Sequence, residues 1–171
     1  MFVDECGVAT DMARRYGRAE GGRRARGAVP YGRWHRLTVL GALSLGGLTA
    51  CMAIPGAADT PVMEAFVEQV LAPALRPGQA VVLDNLSVHK APTVRHLIEA
   101  AGCRLLFLPA YSPDLNPIEP AWGKLKARLR SAAARTVEAL YDALAGAVGA
   151  ITPDDARGYF RHCGYGRSAP P

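Results

Sequence analysis

Ala80-Val81-Val82-Leu83-Asp84-Asn85 and Tyr111-Ser112-Pro113-Asp114-Leu115-Asn116-Pro117-Ile118-Glu119 are the two words whose reading decides the fold. The first is an apolar run of strand length closed by an acid, so Asp84 is expected at the C-terminal edge of a buried strand. In open α/β sheets that edge is where ligand sites gather. The second is turn-rich and ends in a helix start, with Asn116 as N-cap, Pro117 as the first helical residue and Glu119 as the third. A Glu three residues after an Asn cap is also what a capping box looks like, so helix signals alone leave Glu119 a structural role.

Outward from these words the chain alternates strand and helix signals. Residues 1–8 read as a first strand carrying Asp4, and 10–30 as an Arg/Gly-rich loop. Leu37 to Ile54 is an uncharged run of 18 residues, long enough to raise the question of a membrane span. Gly46-Gly47 divides it into two halves of strand length, so a core hairpin over 36–45 and 48–54 is expected instead. Asp59-Thr60-Pro61 starts a helix with Val62, Met63, Phe66, Val67, Val70 and Leu71 at helical spacing. Strand 80–84, helix 93–101, strand 104–108 and the helix after Asn116 complete a βββαβαβα order. Helices over 136–151 and 153–162 follow, and 163–171 reads as a C-terminal tail.

The helix after Asn116 has an apolar stripe of Ile118, Trp122, Leu125 and Leu129. Beside it Glu119, Gly123, Lys126 and Arg130 share a line at the same spacing. The acid therefore lies on a face with a small residue one turn away and two cations beyond.

Charge is unevenly placed. The net charge is +5, yet Arg14 to Arg36 holds eight arginines against Glu20 alone. A second basic run comprises Lys124, Lys126, Arg128, Arg130 and Arg135. Such clusters suit a polyanion, and Arg14, Arg15, Arg23, Arg24, Lys126 and Arg130 are candidate DNA contacts. The high ratio of Arg to Lys by itself reflects composition; the clustering carries the argument. Cys6, Cys51, Cys103 and Cys163 are widely spaced, which points to neither a disulfide framework nor a zinc site. No histidine pair has ligand spacing, and His89 alone falls near Asp84.

The words around Asp84 and Glu119, including Leu86-Ser87-Val88-His89-Lys90 and Leu108-Pro109-Ala110, closely resemble the catalytic core of the DDE transposases, in the mariner-like and bacterial insertion-sequence branch. Positions 84 and 119 leave 34 residues between them, the spacing of that family. The resemblance runs from Phe2 to about Tyr159. It implies an RNase H-like α/β fold with a five-stranded mixed sheet flanked by helices, residues 1–162 forming the catalytic domain. It makes Asp84 the second catalytic acid and metal ligand, Glu119 the third, and Asp4, in Phe2-Val3-Asp4-Glu5, the first. Neighbouring strand residues face opposite sides, so only one of Asp4 and Glu5 can serve. Asn85 and His89 are expected to support the acids from behind.

Three carboxylates form a hard, all-oxygen site suited to Mg²⁺ or Mn²⁺, and the resemblance implies two such ions. It also implies DNA cleavage and strand transfer, with transposon ends and target DNA as partners and self-association on DNA. A bacterial, nucleoid-associated, cytoplasmic protein without membrane contact is expected. Family members carry a helix-turn-helix region before the first acid, whereas three residues precede Asp4 here. Three alternatives stand open: a fragment, a wrongly chosen start, or the second half of a protein split between two reading frames, with that region on a separate polypeptide. The chain by itself is expected to bind duplex DNA weakly and without sequence preference. Three other classes fit part of the pattern: a glycoside hydrolase using two carboxylates, a folded but inactive DNA-binding remnant, and an RNase H-like nuclease without strand transfer.

Overall fold

The computed structural model of the chain describes residues 1–166. Five strands, β1 (Phe2–Ala9), β2 (Arg36–Ser44), β3 (Gly47–Pro55), β4 (Ala80–Leu83) and β5 (Arg104–Phe107), form one sheet in the order β3-β2-β1-β4-β5. β1, β2 and β3 pair antiparallel, while β4 runs parallel to both β1 and β5. The uncharged 37–54 run is thus the β2–β3 hairpin, and none of the described helices is long and apolar enough to cross a membrane.

Side-chain alternation along β1 divides the core. Phe2, Cys6 and Val8 face α3 (Ile118–Ala132), α4 (Val137–Gly149) and α5 (Pro153–His162). Val3 faces the other layer, α1 (Thr60–Phe66) and α2 (Pro92–Ala100). Asp59 caps α1 by accepting from the Val62 N–H, as its position before Thr60-Pro61 leads one to expect. The helix then continues through a π turn to Leu71 and a 3₁₀ turn to Ala74.

Two features seat α3, the helix that carries Glu119. Its stripe of Ile118, Trp122, Leu125 and Leu129 is fully buried, and the Trp122 ring lies against Gly41 of β2, where a Cβ would fall 2.5 Å from it. Glycine is required there by close approach, because a methyl group would push the helix off the sheet. From the other side Lys124 reaches Asp155 of α5 at 2.5 Å, and Asp155 completes a capping box with Thr152.

The expected tail begins later than residue 163. Cys163 is buried, Tyr165 packs its ring on Phe2 at 4.9 Å, and the Tyr165 hydroxyl donates to the Leu115 carbonyl at 2.8 Å. Residues 167–171 of that tail lie outside the described ones.

Candidate active site

Phe2 of β1 pairs with Val82 of β4 in parallel, so two residues further along both strands Asp4 and Asp84 fall side by side, just where β4 has ended. Glu119 enters from the start of α3. The three acids, each on a different element, line one open cleft of about 330 Å³ together with Asn85, Asn116 and the 108–113 turn.

Asp4 is the most enclosed of them, 8% exposed. Its carboxylate accepts from the Glu5 N–H at 2.8 Å and from the Asn116 amide at 3.2 Å. Burial pushes its pKa up to about 7; the Glu5 N–H opposes this, while the charges of Glu5, Glu119 and Asp84 add to it.

Asn116 corrects the expected helix start. Pro117 is the N-cap, the helix begins at Ile118, and no side chain caps it. Asn116 contributes only its carbonyl, to the Glu119 N–H at 3.1 Å. Its amide is turned back onto Asp4, and its Oδ1 is buried without a partner. Glu119 is therefore the second helical residue, with an exposed side chain and no capping box. Nothing local in the sequence marks Asn116 as an Asp4 partner, since a cap is the stronger local reading.

Asp84 is held by its own loop. It accepts from the Leu86 N–H at 3.0 Å and meets His89 Nδ1 at 2.5 Å. Burial raises the Asp84 pKa, but the bonds from His89 and Leu86 outweigh it and keep the carboxyl below its ordinary value. His89 is 1% exposed, and its Nε2 lies 3.1 Å from Glu5 Oε2. Glu5 faces the α1–α2 layer, opposite Asp4, so β1 supplies an acid to each side of the sheet. Glu5 is thus a participant that the sequence pointed to only as a rival of Asp4. Asn85 is exposed and lines the cleft.

The donor set suits a hard divalent cation: carboxylate oxygens, a buried amide oxygen lacking a partner, and an Asp whose neighbours are like charges. No cysteine among the described residues lines the cleft; burial pushes the Cys6 thiol up to about 12 and Cys51 up to about 11. Asp4, Asp84 and Glu119 share a cleft without converging on a point, however. Among the described residues no three His, Cys, Asp or Glu groups are close enough to form a ready metal cage. Asp84 is drawn to His89, and Glu119 extends into solvent.

Asp4 therefore carries a penalty that depends on pH. Its folded pKa lies above the unfolded value, so the charge destabilises the fold increasingly from about pH 4 to about pH 7 and fully above. Asp4→Asn in EDTA should gain roughly 2 kcal/mol, about 5 °C in Tm, at pH 8, and little at pH 4.5. Equal melting shifts at both pH values would contradict the enclosed charge.

The candidate DNA contacts separate into groups. Arg14, Arg15 and Arg130 line one concavity with Arg18, Arg26 and Arg135. Lys126 and Arg130 line a neighbouring one with Arg15 and Arg36. Arg23 and Arg24 are exposed farther along the loop. Two members of the second basic run serve the fold instead: Lys124 binds Asp155, and Arg135 donates to the Thr10 and Met12 carbonyls, both at 2.9 Å.

A family model described as "DDE superfamily endonuclease" matches residues 1–141. No curated protein matches the chain in sequence. Among solved structures, a pre-cleavage Mos1 transpososome is similar at TM-score 0.69 and 20% identity, over 95% of this chain and 52% of that one. The Mos1 strand transfer complex is similar at TM-score 0.67 and 21% identity, over 95% and 51%. The Mos1 transposase catalytic domain with Raltegravir and Mn gives 0.62 and 18%, over 95% and 74%. At these identities the likeness is one of fold, and the chain spans about half the length of the Mos1 chains in the two larger complexes.

Proposed function

The chain belongs to the DDE superfamily of endonucleases, and from that premise we propose that residues 1–162 are a transposase catalytic domain performing divalent-metal-dependent DNA cleavage and strand transfer. The observation that carries the reading is the arrival of Asp4, Asp84 and Glu119, from three separate elements, in one cleft.

These three side chains would hold Mg²⁺ or Mn²⁺, as two ions. When bound, such ions activate the attacking water or 3′-hydroxyl and stabilise the leaving 3′-oxygen of an in-line displacement. The protein's part is positional. Asn116 fixes the Asp4 carboxylate from α3's entry, His89 fixes Asp84, and Asn85 offers a further polar group at the cleft wall. Glu119, at the exposed start of α3, is the acid free to swing inward. A phosphodiester reaching Glu119 passes Gly123, where a Cβ would meet nothing within 4 Å, so the helix leaves room for the strand. Lys126 and Arg130 continue the line with positive charge.

DNA is the proposed partner, with self-association on it. Lys126→Glu with Arg130→Glu should lower the slope of log affinity against log salt by about two on duplex DNA, with stability changed by less than about 0.5 kcal/mol. An unaltered slope would remove these residues from the interface.

The function itself is tested with supercoiled plasmid. The chain should nick it only when Mg²⁺ or Mn²⁺ is added, and should join a 3′-hydroxyl donor to it. The open geometry of the acids favours one second reading, an inactive DNA-binding remnant. Binding without nicking under every divalent ion would select that reading.

A further inference from the structure

The connection between β1 and β2, from Thr10 to His35, is long, and its only regular piece is a single 3₁₀ turn at Glu20–Gly22. Long irregular loops in compact domains are usually functional or disordered, and this one is pinned at its root. The Thr10 N–H donates to the His35 carbonyl at 3.0 Å and the His35 N–H to Thr10 Oγ1 at 3.1 Å, while Arg135 clamps the outgoing strand end. Its arginines answer to phosphates, but its aromatics do not. Tyr16 is 90% exposed, Tyr31 105% and Trp34 44%. Only two further aromatic residues among the described ones, Tyr111 and Tyr141, are exposed, so three of five stand on one loop.

Contacts to duplex phosphates need cations and leave no use for exposed rings, since paired bases have their faces covered. Unpaired bases present those faces, and aromatic rings interleaved with arginines are the groups that bind them without regard to sequence. The loop folds back toward the end of α3, where Tyr16 lines the concavity of Arg14, Arg15, Arg18, Arg26 and Arg130, and Tyr31 and Trp34 stand exposed on its returning limb. Lys126 and Arg130 lead from there along α3 toward Glu119 and the acidic cleft.

We propose that the Thr10–His35 loop is a binding site for unpaired nucleotides, its arginines on the phosphates and Tyr16, Tyr31 and Trp34 stacked on the bases. This rests on the DNA-acting reading above and adds a preference for single-stranded segments beside the cleft. A second copy of the chain is the less favoured occupant, because the same loop on that copy carries the same excess of arginine.

The chain contains its own reporter, because its other tryptophan, Trp122, is 2% exposed. Titration with (dT)12 should quench Trp34 emission saturably, whereas heparin, a polyanion without bases, should leave it nearly unchanged. Tyr16→Ala, Tyr31→Ala and Trp34→Ala combined should weaken (dT)12 binding, read by anisotropy of a labelled strand, at least tenfold. Duplex affinity should change less than twofold, and the circular-dichroism melt should be unaltered. Equal loss on both DNA forms, undiminished (dT)12 binding, or quenching that follows protein concentration would each overturn the proposal, the last by giving the rings to a second copy. Metal-dependent plasmid nicking is measured on the same preparations. Nicking without preferential (dT)12 binding sinks this inference alone, whereas a chain that neither binds nor nicks any DNA sinks the functional reading with it.

Discussion

Asp84→Asn should reduce metal-dependent plasmid nicking by at least roughly 10³-fold, about 4 kcal/mol in barrier, with DNA binding retained. Asp84 stands at the end of β4 beside Asp4, and the asparagine keeps its shape while removing the charge that a divalent ion needs. The amide can still meet the Leu86 N–H through its oxygen, so the loop should keep its course. Glu119→Gln should have an effect of the same order with no cost in stability, because its carboxylate is exposed and makes no capping bond. Nicking that persists in either variant within tenfold of the parent would take that residue out of the chemistry. A decrease confined to binding would instead make the cleft a DNA-docking feature.

His89→Ala should destabilise the chain by about 2 kcal/mol near pH 6 and reduce nicking roughly 10- to 100-fold, the usual cost of removing a residue that orients a metal ligand. Both ring nitrogens face carboxylates, and a neutral imidazole has only one N–H, so the arrangement calls for an imidazolium. Burial lowers the His89 pKa, but the bonds to Asp84 and Glu5 and their charges more than reverse this and hold it at about 9. A folded pKa above the unfolded 6.5 means that the contribution is complete below about pH 6.5 and is lost as pH rises through about 9. The stability difference between parent and variant should therefore shrink between pH 6.5 and 9.5. Solvent screening holds the effect below that of a wholly buried ion pair, since Glu5 and Asp84 keep 25% and 33% of their side chains exposed. A difference independent of pH would mean that His89 acts as packing alone.

Much of this architecture was legible in local patterns. Gly46-Gly47, Pro55-Gly56 and Pro77-Gly78 punctuate the chain where the hairpin turns, where β3 ends and beyond the α1 segment. The apolar runs before Asp84 and Pro109 became β4 and β5, as short uninterrupted apolar runs between breakers suggest, but β5 is the edge of the sheet and leaves Leu106 exposed. The stripe from Ile118 to Leu129 gave the buried face of α3. What stayed hidden depends on contacts between distant segments. Asn116 reads locally as a cap, and only the approach of β1 turns its amide toward Asp4, 112 positions away in the chain. Glu5 reads as an alternative to Asp4, whereas His89, brought in by the turn after β4, gives it a separate task on the other face. Lys124 and Arg135 look like members of a DNA-facing basic run until α5 and the β1–β2 loop engage them. Gly41 has no turn to mark it, since its requirement is the Trp122 ring lying across β2.

The central claim, that Asp4, Asp84 and Glu119 together hold divalent ions, is tested most directly by anomalous scattering from crystals grown with Mn²⁺ at pH 8, above the pKa of about 7 at Asp4. The account predicts manganese in the cleft with oxygens of all three side chains at about 2.1–2.3 Å, Glu119 swung inward, and the signal absent in Asp84→Asn crystals. Manganese elsewhere on the chain, or a cleft without anomalous signal while Asp84 remains bound to His89, would contradict it.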